Sequence, residues 1–178
     1  MPKLFFGLEI PEAVKPDLLH VRAQVDGARW QSEQQLHLTL AFLGQVDEHR
    51  VALACDLARK VTAPPCELDV RGVGCFGSPD HPKILWAGVA PEQALVELQQ
   101  SLAAHLASSG FKLKNHPFKP HITLSRFGAR SGSVAALLKA HENTDFGILP
   151  VNDFVLFEST PGPEGSVYTV LERFVLTP

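Results

Sequence analysis

The sequence predicts an α+β fold in which two lobes, related by a pseudo-twofold axis, pack around one cleft. The first observation behind this prediction is a tetrapeptide, His-aliphatic-Thr-aliphatic, that occurs at 37–40 and again at 121–124. Composition alone gives on the order of 0.06 such tetrapeptides in a chain of this length, so two copies indicate a shared role. The second observation is that the same order of helices and strands is predicted around both copies. Each lobe should therefore carry one motif strand in an antiparallel or mixed sheet, with helices packed outside.

The first half of the chain supplies the first set of predicted elements. Residues 3–10, rich in Leu, Phe and Ile, are expected to form a strand that ends at Pro11. Apolar residues at helical spacing predict a helix over 11–26, and Trp30 lies in the connection after it. The remaining predicted elements of this half are the first motif strand over about 36–43, a helix from Asp47 to about 61, and a hairpin of two strands over about 66–71 and 84–89.

The second half repeats this order. A helix is predicted to begin at Pro91 and to end at Gly110, with four Leu residues on one face. It is followed by the second motif strand, a helix around 134–141 and two strands over about 151–158 and 166–175. The repeat spans about 11–90 and 91–176 within a single domain, 1–178, and leaves the strand over 3–10 as an extra leading element.

Composition and charge argue against several classes of protein. A net charge of −3 does not favour nucleic-acid binding through the field of the whole molecule, so any contact with RNA must be local. Three Cys without a C-x-x-C pair argue against a disulfide framework or a structural zinc site. No apolar run approaches the length of a membrane span, and no signal peptide is recognisable. We expect a cytoplasmic protein without a metal or other cofactor, and a monomer, because no helix shows a sustained heptad pattern.

The two motifs carry the chemistry that the sequence predicts. Alternate side chains of a β-strand share a face, so His37 and Thr39 would lie on one face about 6.6 Å apart, as would His121 and Thr123. The aliphatic residues between them would point into the core. Two such strands side by side would place two imidazoles and two hydroxyls around one phosphate group. A single histidine on a strand is more often structural, and this explanation loses weight here because the motif is paired.

A pair of imidazoles suits acid-base chemistry at phosphorus. An ordinary imidazole titrates at about pH 6.5, so near neutrality one can accept a proton from water while the other donates a proton to a leaving oxygen. Thr39 and Thr123 would donate hydrogen bonds to the non-bridging phosphate oxygens. Arg126, just after the second motif, would bind the phosphate or the RNA backbone. A solvated charge at the end of a strand explains Arg126 equally well.

A basic and aromatic stretch surrounds the second motif, and it contains no acidic residue between 111 and 130. Its charged and aromatic members are Lys112, Lys114, Lys119, Arg126, Arg130, Phe111, Phe118 and Phe127. Such a stretch would guide a single-stranded end by charge and stacking, although a solvated face over core phenylalanines explains it nearly as well. The histidines outside the motifs lack metal-ligand spacing and are interpreted as surface or structural residues. They are His20, His49, His81, His105, His116 and His141.

Taken with their flanks, 36–44 and 118–126, the two motifs resemble those of the two-histidine (2H) phosphoesterases. The closest resemblance is to the LigT-like RNA 2′,3′-cyclic phosphodiesterases of bacteria and archaea, and it covers nearly the whole chain. It implies metal-independent opening of a terminal 2′,3′-cyclic phosphate on RNA to a 2′-phosphate, with a reverse, 2′-5′ RNA-joining activity known in some members. It also implies that His37 is the proton donor and His121 the proton acceptor. The expected partners are RNA ends or small cyclic nucleotides.

Two alternatives stay open at the level of sequence. The same site would serve a 2′-5′ oligonucleotide phosphodiesterase, an RNA-joining enzyme or a hydrolase of another small cyclic phosphate. A protein of a different class, a non-catalytic module that binds RNA ends or nucleotides, would use the same cleft without turnover. The intact histidine pair disfavours this second alternative, because binding alone does not need two groups of matched acidity.

Overall fold

A nine-stranded sheet forms the centre of the molecule in the computed structural model, which describes residues 1–113 and 117–177. The strands are β1 (Lys3–Glu9), β2 (Ala28–Trp30), β3 (His37–Gln45), β4 (Cys66–Ser78), β5 (His81–Ala90), β6 (His121–Phe127), β7 (Asp145–Val151), β8 (Asp153–Gly162) and β9 (Gly165–Val175). The helices are α1 (Lys15–Leu19), α2 (Glu48–Arg59), α3 (Glu92–Ser108) and α4 (Ala135–Ala140). The strand pairs of the described residues are antiparallel, and the predicted α+β class is confirmed.

The two motif strands lie side by side in the middle of this sheet. The strand order is β7-β4-β5-β6-β3-β1-β8-β9, and β2 pairs with the end of β6. β3 and β6 meet at one pair of Cα partners, Leu38 and Ile122. The main strand order therefore has two sides of four strands each, joined at the two motifs, and β2 is added to the side that contains β6.

The leading strand is not an extra element, and this corrects the expectation for residues 3–10. β1 pairs with motif strand β3 and leads through α1 towards it, just as β5 pairs with β6 and leads into it through α3. A central strand needs a partner on each edge to satisfy its backbone groups, and β1 and β5 fill equivalent places. Each side of the sheet contains strands from both 11–90 and 91–176. One side combines β4 and β5 with β6 and β7, and the other combines β3 with β8 and β9. The two ranges therefore describe the order of elements along the chain and do not correspond to the two sides of the sheet.

The helix predicted over 11–26 is much shorter in the structure. α1 has five residues and begins at Lys15, with Pro16 in its first turn. Most of the predicted apolar face is nevertheless buried: Val14, Leu18 and Val21 each have 2% exposure or less, whereas Val25 is half-buried. Proline removes a backbone donor and restricts the preceding residue, so burial at helical spacing did not require a continuous helix.

Two strands were not predicted from the sequence. Trp30, placed in a connection, lies in β2, a strand of three residues that is too short for a periodic signal. β7 was missed because its burial does not alternate: Phe146 and Leu149 are both buried. Gly147 lies between them with φ +114°, where the register with β4 shifts. A bulge of this kind changes the face on which the following side chains lie.

The main hydrophobic core includes the buried residues of α2 and α3, and a smaller cluster of Phe5, Val155 and Phe157 packs separately from it. The aliphatic motif residues point into the main core as predicted, with exposures of 0–2% for Leu38, Leu40, Ile122 and Leu124. α3 buries the predicted leucine face, Leu95, Leu98, Leu102 and Leu106. In the described part of the chain, no helix combines the length and the apolar character that crossing a bilayer requires.

Candidate active site

Both motif strands open onto one cleft with a volume of about 710 Å³. His37 and Thr39 line it from β3, and His121 and Arg126 line it from β6. His37 is largely buried, with 8% exposure, whereas His121 is partly exposed. The structure thus brings the two imidazoles, far apart in sequence, to the same cavity.

A bulge interrupts β3 at the last residue of the first motif. Thr39 pairs with Gly7 and Ala41 pairs with Phe6, which leaves Leu40 as the additional residue. The consecutive residues Leu40 and Ala41 are both buried in the hydrophobic core. The alternation of faces is therefore reversed beyond this point.

The second motif strand has a bulge at the equivalent residue. On β6, Thr123 pairs with Trp86 and Ser125 pairs with Leu85, so that Leu124 is the additional residue. Leu124 and Ser125 are both buried, with 2% and 0% exposure. The two strands thus share the motif and also the irregularity that follows it.

These bulges decide which residues accompany the histidines in the cleft. In a regular strand, a residue five positions after a histidine would lie on the opposite face. Because of the bulges, Phe42 and Arg126, each five positions after its histidine, return to the cleft side and line it. At equivalent places the cleft therefore has a phenyl ring on one side and a guanidinium on the other.

Each imidazole is held by the same backbone hydrogen bond. Nδ1 of His37 lies 2.7 Å from the carbonyl oxygen of Gln35, and Nδ1 of His121 lies 2.6 Å from that of Lys119. A carbonyl only accepts, so each Nδ1 carries a proton and donates. Nε2 is left as the nitrogen that exchanges protons at the cleft. For His37 this atom lies 3.1 Å from Oγ1 of Thr39.

Aromatic rings surround both histidines and shield them from water. The His37 ring lies 4.7 Å from that of Tyr168 and 4.9 Å from that of Phe5. The His121 ring lies 4.9 Å from that of Phe76, in an edge arrangement, and 6.3 Å from that of Trp86. Packing on both sides fixes the ring orientation that the backbone hydrogen bonds select.

Burial lowers the pKa of both histidines. For His37 it lowers the pKa from 6.5 to about 4, and the positive charges of Arg126 and His121 act in the same direction. Burial is also the main cause of the lowered pKa of His121, with Arg126 and Lys119 contributing. In both cases the backbone hydrogen bond opposes the shift. Burial therefore favours the neutral form of both imidazoles near pH 7.

This lowered pKa predicts a loss of stability in mild acid. The unfolded chain, whose His37 has an ordinary pKa, binds a proton before the folded chain does, so the contribution is complete above pH 6.5 and is lost as the pH falls towards 4. We expect the free energy of unfolding to fall by about 3 kcal/mol over this range on account of His37. Urea titrations at several pH values measure it, and His37→Gln should flatten the curve. Parallel curves for the two proteins would contradict the prediction.

The charges at the cleft are positive. Lys3, Lys119 and Arg126 line it, and no Asp or Glu is among the described residues that do so. Lys119 forms an ion pair with Glu92 and lies over the Trp86 ring at 5.2 Å. Arg126 makes no ion pair with a carboxylate in residues 1–113 and 117–177. Lys3 makes none either within these ranges, so Arg126 and Lys3 are both available to an incoming anion, and Arg126 is the one on a motif strand.

The other residues singled out in the sequence are distributed more widely. Thr123 has 8% exposure and does not line the cleft, although its motif partner Thr39 does. Of the basic stretch, Lys119, Arg126 and Phe118 line the cleft. Lys112 and Arg130 are exposed outside it, and Phe111 and Phe127 are core residues. Lys114 and His116 lie outside the described residues.

The histidines outside the motifs do not line the cleft in the described part of the chain. His20, His49 and His81 are exposed. His105 and His141 make local contacts, with the carbonyl of Ser101 and the hydroxyl of Thr144. Among residues 1–113 and 117–177 there is no group of three or more His, Cys, Asp or Glu side chains with the arrangement of a metal site.

Several cleft residues were not found by sequence reasoning, among them Lys3, Phe42 and Tyr168. Phe42 is 41% exposed and its ring stacks on that of Phe5. The only sign in the sequence that Phe42 belongs to the site is its position. It lies five residues after His37, just as Arg126 lies five residues after His121. Lys3 and Tyr168 reach the cleft through the pairing of β1 and β9 with β8, which the sequence does not specify.

Comparison with known proteins identifies relatives along the whole chain. The RNA 2′,3′-cyclic phosphodiesterase of Archaeoglobus fulgidus is 34% identical over 176 residues, which covers 97% of this chain and 99% of the relative. The protein of the same name from Escherichia coli K12 is 29% identical over 98% of this chain and 97% of its own length.

Solved structures agree with these relatives. The fold matches E. coli LigT complexed with 3′-AMP with a TM-score of 0.84 at 27% identity, over 99% of both chains. It matches TT0787 of Thermus thermophilus with a TM-score of 0.83 at 30% identity, over 98% of this chain and 97% of that one. The model of the 2′-5′ RNA ligase superfamily matches residues 10–162. The resemblance to two-histidine phosphoesterases seen in the motifs is thereby confirmed, and the chain belongs to the 2′-5′ RNA ligase superfamily.

Proposed function

We propose that this protein is an RNA 2′,3′-cyclic phosphodiesterase that opens a terminal 2′,3′-cyclic phosphate to a 2′-phosphate. The observation that supports this most is the pair of imidazoles in one positively charged cleft, each held through Nδ1 with Nε2 available. Two equivalent proton-exchanging groups match a reaction in which one proton leaves water and another joins a ribose oxygen. The full-length relatives named for this activity support the same substrate.

The proposed reaction uses these groups in two proton transfers. One neutral imidazole accepts the proton of a water molecule as its oxygen attacks phosphorus. The other imidazole, protonated, donates its Nε2 proton to the ribose oxygen that leaves, and the P–O bond to that oxygen breaks. Arg126 and the hydroxyl of Thr39, which line the cleft, stabilise the additional negative charge on the non-bridging oxygens. We propose the same role for Thr123 from its place in the second motif, although it is buried and does not line the cleft. Of the two hydroxyls, that of Thr39 lies in the cleft beside an imidazole.

The donor role expected for His37 depends on the substrate. Burial favours the neutral form of His37, whereas a donor must carry a proton on Nε2. A phosphate anion between the rings favours the charged form of both imidazoles, and mutual repulsion favours one proton rather than two. We infer that the proton on His37 is taken up together with the substrate.

This inference predicts that inorganic phosphate raises the pKa of His37. We expect the imidazole to titrate near pH 4 in the free protein and at higher pH when phosphate occupies the cleft. NMR titration of the histidine Cε1–H signals, with and without phosphate, measures the shift, and exposed His20 serves as the internal control. The inference is wrong if phosphate moves the His20 and His37 signals equally.

The domain organisation, oligomeric state, partners and cellular compartment are proposed on the same basis. The single nine-stranded sheet supports one domain over residues 1–178, which works as a monomer because both histidines come from one chain. The partners are RNA ends with a cyclic phosphate, or small cyclic nucleotides. The three free cysteines fit a reducing cytoplasm.

The test is a turnover assay with identification of the product. Oligonucleotides that end in a 2′,3′-cyclic phosphate should be opened in the presence of EDTA, and the product should carry a 2′-phosphate and no 3′-phosphate. The rate should show a bell-shaped dependence on pH. Tight binding of this substrate without turnover would instead indicate the non-catalytic module, and a strict need for a divalent metal would refute the mechanism.

A 2′-5′ joining activity would use the same groups in the same roles, with a ribose 5′-hydroxyl in place of water. The base accepts the proton of this hydroxyl as its oxygen attacks the 2′,3′-cyclic phosphate, and the acid protonates the 3′-oxygen that leaves. The two histidines exchange roles only in the reverse step, the cleavage of a 2′-5′ linkage. The family description favours testing it. Incubation of cyclic-phosphate ends with 5′-hydroxyl RNA, followed by digestion that distinguishes 2′-5′ from 3′-5′ linkages, measures joining against hydrolysis.

A further inference from the structure

A second arginine stands directly opposite Arg126. β2 runs antiparallel to the end of β6, and its register places Arg29 opposite Arg126 and Trp30 opposite Ser125. Directly opposite residues of an antiparallel pair project from the same face, with their Cβ atoms about 4.5–5.5 Å apart. Arg126 lines the cleft, so Arg29 projects from the cleft face of the sheet beside it.

Two opposed guanidiniums need an explanation. Like charges at directly opposite positions destabilise a pair of strands. Neither arginine makes an ion pair with a carboxylate within the described residues, whereas Arg59, Arg71 and Arg173 each do so. Both Arg29 and Arg126 are exposed. An anion bound between or across them would remove the repulsion and would use the planar, multiply donating guanidinium well.

The position of Arg29 separates it from the reacting group. Arg126 lines the cleft that holds the two imidazoles, and its positive charge lowers the pKa of both. Arg29 does not line this cleft and lies one strand beyond Arg126. A phosphate placed at the histidines is therefore reached by Arg126, while Arg29 faces the next stretch of a longer ligand.

The same row of the sheet continues on the other side of Arg126. Ile84 is opposite Arg126 on β5, and Phe76 is opposite Ile84 on β4. The Phe76 ring reaches back to 4.9 Å from the His121 ring. The row thus runs from Arg29, outside the cleft, to an aromatic ring at the catalytic pair. On the other motif strand, β3, the place equivalent to Arg126 is occupied by Phe42, which carries no charge. The pair of positive charges, Arg29 and Arg126, therefore lies on the β6 side of the cleft.

We propose that Arg29 and Arg126 form a subsite for the phosphodiester that precedes the terminal nucleotide of the RNA. The subsite makes the protein prefer an oligonucleotide end to a mononucleotide cyclic phosphate, because the mononucleotide has no such phosphodiester. This inference rests on the proposed function for the identity of the ligand. Arg29 is a binding residue in this account and takes no part in proton transfer.

The experiment compares two substrates and three variants. The substrates are a mononucleotide 2′,3′-cyclic phosphate and a trinucleotide with the same terminal group. Arg29→Gln should lower kcat/KM for the trinucleotide by about 10-fold, mainly through a higher KM. The kcat/KM for the mononucleotide should stay within about 2-fold of that of the unaltered protein. Arg29→Lys should retain part of the preference. Lys139→Gln, on the exposed surface of α4, is the control: it also removes one positive charge, and it should leave kcat/KM unchanged for both substrates.

Salt dependence and binding supply independent measurements. The dependence of log KM on log salt concentration for the trinucleotide should become shallower by about 0.7 in Arg29→Gln, the value for one contact with a single-stranded phosphate. Equilibrium binding of a trinucleotide that already carries a terminal 2′-phosphate tests the subsite without turnover. Equal losses on both substrates would place Arg29 at the reacting phosphate and overturn the proposal, as would no loss on either. If the unaltered protein opens neither substrate, the proposed function fails, and the binding comparison still decides the subsite.

Discussion

Replacement of either motif histidine, His37→Ala or His121→Ala, is expected to lower kcat by about 10²–10⁴-fold on an oligonucleotide with a terminal 2′,3′-cyclic phosphate. Each imidazole presents Nε2 to the same cleft and is held by the same backbone contact, so neither can supply both proton transfers. Single-turnover kinetics with saturating protein measures the chemical step separately from binding.

A double variant, His37→Ala with His121→Ala, tests whether the two histidines act as a unit. Groups that act as a unit show strongly non-additive effects, so the protein without both histidines should be about as slow as the slower single variant. His20→Ala is the matched control, because His20 is exposed and does not line the cleft. His37 is largely buried, and His37→Gln therefore accompanies His37→Ala to separate lost chemistry from lost packing. Full activity in either single variant with a folded protein would remove the basis of the proposed mechanism.

Replacement of Arg126 by Gln is expected to have the next largest effect, a fall of about 10²–10³-fold in kcat/KM. Arg126 lines the cleft from the second motif strand and makes no ion pair with a carboxylate in the described residues, so its guanidinium is free to contact the phosphate oxygens. Charge on these oxygens grows as phosphorus becomes five-coordinate, and a donor aimed at them stabilises the transition state more than the substrate. The loss should therefore appear in kcat as well as in KM, on mononucleotide and oligonucleotide substrates alike.

Two further variants test whether geometry or charge matters at this position. Arg126→Lys keeps the charge but loses the two parallel donors, so it should recover only part of the activity. Arg130 is exposed, lies four residues later and does not line the cleft. Arg130→Gln should therefore have a kcat/KM close to that of the unaltered protein. A loss in Arg130→Gln as large as that in Arg126→Gln would show that the general field of the basic stretch, rather than a specific contact, is responsible.

Much of the site was predictable because strand periodicity is a local property. The spacing His-x-Thr placed His37 and Thr39 on one face, and the structure shows both at the cleft with Leu38 in the core. The leucine face of α3 is buried as its spacing predicts. These features depend only on the backbone geometry of one element, which the order of residues specifies directly.

Other features escaped prediction because they depend on partners that are distant in the chain. The shortened α1, the strands β2 and β7, and the place of β1 beside β3 are set by tertiary pairing rather than by periodicity. The arrival of Arg126 in the cleft is the clearest case. Simple alternation from His121 would put it on the opposite face, and only the bulge at Leu124, formed against β5, reverses this.

Two tetrapeptides are enough to specify the chemistry of this protein, since they contain both imidazoles and the aliphatic residues that anchor them. The surroundings of that chemistry come from the folded molecule. Burial lowers the pKa of His37, and the paired bulges place Phe42 and Arg126 at equivalent points of the cleft. The pairing of β2 with β6 sets Arg29 against Arg126. Burial, strand register and bulges arise from contacts between segments, and no single segment contains the information for them.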